Sequence, residues 1–109
     1  MRSARILYKN EEAGVLKQLD DGSFVFQYHK DWVENLSKPA ISLTLPKTIQ
    51  RHHSPHLFPF FYNMLPEGTN KQTVCFHHRI DATDDFGILM ATAQTDSIGA
   101  VRVQKIEKP

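Results

Sequence analysis

The large apolar side chains between residues 57 and 101 constrain the fold of this chain more than any other feature. In the first half of this stretch they recur with the i, i+3, i+4, i+7, i+8 spacing of one helix face: Leu57, Phe60, Phe61, Met64 and Leu65. Pro59 suits a first helical turn, where its missing N–H costs nothing, while Pro66 and Gly68 are expected to end the helix. The sequence therefore predicts an apolar helix that packs into the core.

A second apolar helix face follows further along the chain. Its members are Phe86, Leu89, Met90 and Ala93. Thr83 stands where a capping residue belongs, and Asp84 and Asp85 put negative charge at the positive end of the helix dipole. We therefore expect residues 83–93 to be a core helix and not a metal site. A weaker, more polar helix is predicted between the two, over about residues 70–80.

The first third of the chain reads as a three-stranded antiparallel meander. Strands are expected over residues 4–9, 13–19 and 24–28, joined by turns at residues 10–12 and 20–23. The second turn contains Asp21-Gly22, which accepts the positive φ values of a tight hairpin. Aromatic side chains occupy alternate positions of the third strand and should share one face.

The remaining segments complete a small α+β domain. Residues 30–36 should form one or two helical turns with Trp32 covering the core, residues 41–45 a short strand, residues 47–56 a polar loop and residues 100–104 a returning strand. The predicted fold class is thus α+β, a small antiparallel sheet that can be curled, with two or three helices packed on it. At 109 residues the chain is expected to be a single domain, 1–109.

Composition excludes several classes of protein. The net charge of +1 gives no electrostatic case for nucleic acid or for an anionic membrane. The single cysteine, Cys75, excludes an internal disulfide and a multi-cysteine zinc site, and its apolar neighbours predict a buried, inert thiol. No apolar run is long enough for a signal peptide or a membrane span, so a cytoplasmic protein is expected.

Two short strings resemble protein-kinase motifs but lack the context that those motifs need. His78-Arg79-Ile80-Asp81 resembles a catalytic loop, and Asp85-Phe86-Gly87 resembles the magnesium-binding triplet. The two strings are almost adjacent, and neither a glycine-rich phosphate loop nor a Val-Ala-Ile-Lys lysine precedes them. We interpret the acidic residues as helix N-terminal charges and Phe86 as a core residue.

The histidines do not form a convincing metal site either. His52 and His56 would share a face only on a helix, and Pro55 argues against a helix there. We interpret them as solvated side chains. With no persuasive nucleophile, metal site or cofactor site, the sequence points to a binding protein and not to an enzyme.

Four strings, in order, resemble the N-terminal subdomain of HipA-type serine/threonine kinase toxins. They cover most of the chain, from about residue 4 to residue 104: Ile41-Ser42-Leu43-Thr44-Leu45-Pro46, Phe60-Phe61-Tyr62-Asn63-Met64-Leu65-Pro66-Glu67-Gly68, Asp85-Phe86-Gly87-Ile88-Leu89 and Asp96-Ser97-Ile98-Gly99-Ala100-Val101. In that family the subdomain precedes the kinase, packs on its N-lobe and takes part in contacts with the partner antitoxin. It carries none of the kinase's catalytic residues.

The resemblance implies a function as a binding protein. A chain that starts at Met1 and ends at Pro109 resembles the HipS-like protein of three-component HipB–HipS–HipT-like systems, which binds the separately encoded HipA/HipT-like kinase and acts as its antitoxin. A HipB-like DNA-binding protein would then be a partner through the complex. The alternatives are a structural subdomain that completes the kinase without inhibiting it, a fragment of a longer kinase, and a metal- or thiol-dependent enzyme.

The predicted contact with the kinase is the turn between the first two helices of the apolar stretch. It consists of Pro66, Glu67, Gly68, Thr69 and Asn70. A turn held between two helices is a rigidly presented loop, where binding residues are often found. Glu67 is expected to meet a basic rim or a phosphate-binding cleft. Either Thr69 or Asn70 can cap the next helix, and Thr69 is the preferred candidate, with a cost of about 1 kcal/mol for its loss.

Overall fold

The structure is a computed structural model that describes residues 2–92 and 101–106. Its strands are β1 (Arg2–Tyr8), β2 (Glu11–Gln18), β3 (Phe24–Tyr28), β4 (Arg51–Ser54) and β5 (Val101–Lys105), and its helices are α1 (Lys30–Glu34), α2 (Pro59–Tyr62), α3 (Gly68–His78) and α4 (Asp85–Thr92). These elements confirm the predicted α+β class.

The described strands form one antiparallel sheet in the order β4-β3-β2-β1-β5. β1, β2 and β3 are the predicted meander, and β5 returns beside β1 as expected. Because side chains alternate across a strand, every strand shows one set to the core and the other to the opposite face. Ala4, Leu16 and Phe26 stand opposite one another in the register and are fully buried, so they mark the core face.

The turn between β1 and β2 is shorter than predicted. Lys9 and Asn10 form the whole connection, with φ values of 49° and 69°, and Glu11 and Glu12 already belong to β2. Positive φ at both central positions is the requirement of a type I′ hairpin turn, and Asn tolerates it better than most residues. Glu11 and Glu12 therefore begin β2 and do not form the predicted turn.

Residues 41–45 form a tight turn and not the predicted strand. The only pairing there is a single bridge between Ser42 and Leu45. Tyr28 explains the geometry, because its buried hydroxyl accepts the N–H of Ile41 at 3.0 Å and donates to the carbonyl of Leu45. Both ends of the segment are thus held in the core, and Leu43 at the apex is 100% exposed.

The predicted polar loop over residues 47–56 contains an edge strand, β4. It pairs with β3 from Gln27 to Phe24 and lies at the border of the sheet. β4 is a short edge strand of four polar residues, whose side chains are alternately exposed and half-buried, so it gives no apolar signal in the sequence. Trp32, in contrast, is buried as predicted, and its indole N–H donates to the carbonyl of Pro39 at 2.8 Å.

The apolar helix predicted around residues 57–65 is much shorter than its pattern. α2 spans only Pro59–Tyr62, although Leu57, Phe58 and Phe61 are buried as a core helix would bury them. Beyond α2 the N–H groups of residues 64 and 65 bond to carbonyls three residues earlier, at 3.0 and 3.1 Å. These bonds tighten the chain into turns, so the apolar residues reach the core without a continued α-helix.

Candidate partner-binding surface

α4 is the core helix that the sequence predicted. Phe86, Ile88 and Leu89 are fully buried, Met90 nearly so, and the Phe86 ring stacks on Phe24 with 6.3 Å between centroids. Ala93, the last member of the predicted face, lies outside the described residues. Because these side chains are buried, we assign the apolar residues of α4 to the hydrophobic core.

The helix cap is Asp84 and not Thr83. The Asp84 Oδ1 atom accepts the N–H of Gly87 at 3.1 Å, which is the bond of an N-cap residue to the third helical position. Thr83 instead donates its N–H and its hydroxyl to Asp81, at 2.8 and 2.7 Å. Both residue types suit a cap, so the sequence alone could not choose between neighbours.

Asp84 also ties α4 to the first strand. The Arg2 guanidinium donates to both of its carboxylate oxygens, at 2.9 and 2.6 Å, and lies 5.0 Å above the Phe86 ring. These bonds hold the pKa of the Asp84 carboxyl below its usual range, with a further contribution from the Gly87 N–H. A Cβ at Gly87 would lie 2.4 Å from Asp84 Oδ2, so any larger residue at this position would displace the Asp84 carboxylate. The Asp-Asp-Phe-Gly string therefore has a structural role, because Asp84 caps α4 and joins the helix to β1. We call these bonds of Asp84 the clamp of α4.

α3, the helix before α4, has a different relation to the core. None of its eleven residues is buried, and Phe76 is 81% exposed. Cys75 is half-buried, so the predicted buried thiol is wrong. The half-buried residues of α3 are Lys71, Val74 and Cys75, which share one helix face at i, i+3 and i+4. Two small apolar side chains and a lysine give that face too little apolar surface to be buried.

The five residues of the predicted contact turn lie at the start of α3. The helix begins at Gly68, whose φ of +56° favours glycine, so Thr69 and Asn70 belong to the first helical turn. Pro66 is half-buried and the other four are exposed, as predicted. The N-cap position is Glu67, which makes no side-chain cap bond, so the capping role predicted for Thr69 is wrong.

A shallow cleft adjoins this turn. It has a volume of 340 Å³ and is lined by Met64, Pro66, Asn70, Thr73, Val74 and Thr92. Two residues of the predicted contact therefore form part of its wall. The cleft offers a partner a partly apolar depression beside exposed polar groups.

The exposed side of α3 continues from the turn along the helix. Thr69, Thr73 and Phe76 follow one another at spacings of four and three residues, which places them on one helix face. Among the described residues, the side chain of Glu67 has neither a hydrogen bond nor an ion pair, and Glu67 is the N-cap residue of the same helix. We call residues 66–70 together with Thr73 and Phe76 the α3 surface. Phe76 was not among the predicted contact residues, and its exposure makes it a further candidate for a contact.

The histidines of β4 have structural partners. His52 stacks on Phe26, and its Nε2 lies 3.0 Å from the carbonyl of Pro46, while Nε2 of His53 lies 3.2 Å from the Ser23 hydroxyl. Across residues 2–92 and 101–106, no three His, Cys, Asp or Glu side chains are arranged to hold a metal ion. None of the described helices is both long and apolar enough to span a membrane.

Comparison with known proteins identifies the family. The family model for the HipA N-terminal domain matches residues 4–104. The chain belongs to the HipA N-terminal domain family. A solved structure, the N-terminal domain of HipA toxin, superposes with a TM-score of 0.72 at 29% identity, covering 100% of this chain and 96% of that one.

Two curated relatives show the family in different settings. An uncharacterised protein of Haemophilus influenzae is 32% identical over 105 residues, which cover 96% of this chain and 93% of the relative. The putative kinase Y4dM of Sinorhizobium fredii is 28% identical over 103 residues, which cover 89% of this chain but only 25% of that protein. The family therefore occurs both in a protein of similar length and as a quarter of a much longer one.

Proposed function

We propose that this protein is a non-catalytic partner of a HipA-type serine/threonine kinase and controls that kinase as an antitoxin. The α3 surface is the proposed contact, and a HipB-like DNA-binding protein joins through the complex. No cofactor takes part, and the proposed place of action is the cytoplasm. The observation that carries the proposal is the combination of membership in the HipA N-terminal domain family with an exposed helix that contributes no buried residue to its own core.

The α3 surface has the composition of a protein contact. Phe76 exposes most of its ring, and aromatic residues are enriched among the side chains that dominate binding energy at interfaces. The adjoining cleft can receive an apolar group of the partner, and Glu67, which follows Pro66 of the cleft wall in sequence, offers a basic group a carboxylate that no described residue pairs. Proposed control therefore acts through occlusion or restraint of the kinase and not through chemistry.

A structural role is the second candidate. It is favoured by the Sinorhizobium relative, a putative kinase in which the matched segment makes up a quarter of the chain. In such a protein the domain would complete the kinase fold without inhibiting it. Both candidates need a kinase contact, so they differ in the consequence of binding and not in the binding itself.

Co-expression separates the two candidates. A HipA-type kinase encoded beside this protein is expressed with and without it, and growth and kinase phosphorylation activity are measured. An antitoxin restores growth and lowers the phosphorylation activity. A structural subdomain raises the yield or the activity of the kinase and leaves growth impaired, an outcome that would reject antitoxin control while retaining the complex.

Glu67→Lys tests the contact itself. The residue is exposed and makes no cap bond, so we expect the thermal unfolding temperature to stay the same while kinase affinity falls through the reversed charge. The control is Glu34→Lys in α1, which makes the same change of charge at an exposed position in a different part of the fold, where the carboxylate has only a solvent-exposed ion pair with Lys30 at 4.0 Å. Unaltered affinity of Glu67→Lys at low salt, or an equal loss in the control, would show that residues 66–70 are not the contact.

A further inference from the structure

The sheet has a second face, opposite the side that Ala4, Leu16 and Phe26 share. Among the described side chains of this face only that of Val25 is buried, and the others are exposed or half-buried. Its residues are defined by the register, which aligns Gln104, Arg5, Val15, Gln27 and Arg51 in one row across all five strands. A neighbouring row holds Ser3, Lys17, Val25 and His53, and a third holds Arg102, Leu7 and Glu12. We call these three rows the open face.

The open face is strongly basic although the chain is nearly neutral. It carries four basic side chains, from Arg5, Lys17, Arg51 and Arg102, against the single carboxylate of Glu12. Apart from Glu11 and Glu12, every described carboxylate belongs to a helix or a connection. The net charge of +1 therefore conceals a separation of charge between the open face and the rest of the described surface.

Most of this positive charge is not neutralised within the domain. Arg5 pairs with Glu12 at 3.1 Å, and Glu12 is shared with His29. Among the described residues, the side chains of Lys17, Arg51 and Arg102 have neither an ion pair nor a hydrogen bond. Unpaired like charges on one face repel one another, and a bound polyanion would relieve that repulsion.

The composition of the face favours nucleic acid over protein as the polyanion. The large hydrophobic residues that are exposed within residues 2–92 and 101–106 all lie outside the open face: Leu36, Leu43, Ile49, Tyr62 and Phe76. A protein contact needs such anchors, whereas interfaces with nucleic acid are more polar and more positively charged. The three rows contain no Phe, Tyr or Trp on which unpaired bases could stack, so a duplex fits better than a single strand.

We propose that the open face binds the phosphate backbone of duplex nucleic acid without reading its sequence. Five strands at about 4.8 Å spacing set Arg102 and Arg51 at opposite edges, about 19 Å apart across the sheet. A duplex presents one phosphate charge per about 1.7 Å of its axis, so a face of this width meets several phosphates. The exposed amides of Gln27 and Gln104 add hydrogen-bond donors to phosphate oxygens.

Fluorescence anisotropy with a labelled DNA duplex of arbitrary sequence tests the proposal on the full chain. Binding that neutralises three or four phosphates falls with salt at a slope of log K against log salt of about −3 to −4. The double variant Lys17→Glu/Arg51→Glu should reduce that slope by about 2 and weaken binding at least about tenfold at low salt. A duplex of a different sequence should bind equally well.

The control variant is Lys71→Glu/Arg79→Glu, which makes the same change in net charge on α3 and at its C-cap. It should bind DNA nearly as the unaltered chain does, and thermal unfolding of both variants checks that they fold. Absence of DNA binding at low salt, or an equal loss in both variants, overturns the proposal. So does a Lys17→Glu/Arg51→Glu variant that keeps its DNA affinity but loses the kinase, because the face would then fit an acidic protein surface.

Discussion

α3 and α4 are consecutive helices with opposite relations to the core. α4 has eight residues and buries four of them, whereas α3 has eleven and buries none. The phenylalanine of each makes the difference plain, because Phe86 is fully buried on Phe24 while Phe76 is 81% exposed. The same residue type thus stabilises the fold in one helix and is free for a partner in the other. Stability and binding should therefore be separable by mutation of one helix or the other.

The largest loss of stability is expected from Leu89→Ala in α4. Leu89 is 0% exposed and belongs to the hydrophobic core. Removing its side chain loses the burial energy and leaves a cavity, which should lower the free energy of unfolding by about 2–5 kcal/mol. Denaturant unfolding followed by circular dichroism measures it. A change within about 0.5 kcal/mol, the range of ordinary surface substitutions, would reject the placement of α4 in the core.

A smaller loss is expected from Asp84→Ala, which removes the clamp of α4. The variant loses the cap bond to Gly87 and the paired hydrogen bonds from Arg2. Loss of an N-cap alone costs about 1–2 kcal/mol, and the partly exposed ion pair adds little. Thr83→Ala is the control, because its side chain bonds only to Asp81 in the described structure and does not cap the helix. An equal cost in both variants would contradict the assignment of the cap.

The clamp also predicts how the difference in stability between the unaltered chain and Asp84→Ala depends on pH. Because the folded state lowers the pKa of Asp84, the unfolded state binds the proton more readily. The stabilisation is complete above the ordinary carboxyl pKa of about 3.9 and is lost as the pH falls through the lower folded value. The stability difference between the unaltered chain and Asp84→Ala should therefore shrink only below that pH. A difference that stays constant into strong acid would show that the charge of Asp84 does not matter.

The sequence predicted the elements whose signal is periodic. The three-stranded meander and α4 follow from alternation and helical spacing, which depend on burial and are visible in the order of residues. The strand predicted for residues 41–45 was wrong, because the chain there is held in a turn by the hydroxyl of Tyr28, a contact distant in sequence. β4 was missed because an edge strand carries no apolar pattern, and the fourth family string, except for Val101, lies outside the described residues.

The candidate sites also include some features that the sequence predicts and others that it does not. The exposure of the turn at residues 66–70 followed from its proline and glycine, but its role in binding stays a prediction. The cap of α4 was placed one residue early, since Thr83 and Asp84 both suit a cap and only the distances choose. The open face could not be predicted from net charge, because its basic residues come from four separate strands that only the register brings together.

The smallest effect on stability is expected from Phe76→Ala in α3. The ring contributes almost no buried area, and alanine is the better helix former, so the free energy of unfolding should stay within about 0.5 kcal/mol or rise slightly. If α3 is the kinase contact, the affinity for the kinase should fall about tenfold, equivalent to about 1.4 kcal/mol, through the loss of an aromatic anchor. Isothermal titration calorimetry with the purified kinase measures this.

Leu36→Ala is the matched control for Phe76→Ala, because it removes an apolar side chain that is 98% exposed in the connection after α1. It should change neither stability nor kinase affinity. A loss of affinity in both variants would mean that the contact extends beyond the α3 surface. If neither variant loses affinity, Phe76 does not contact the kinase. The contrast between α3 and α4 would then concern folding alone. A loss of stability in Phe76→Ala comparable with Leu89→Ala would remove the contrast itself, since it would show that α3 supports the core as α4 does.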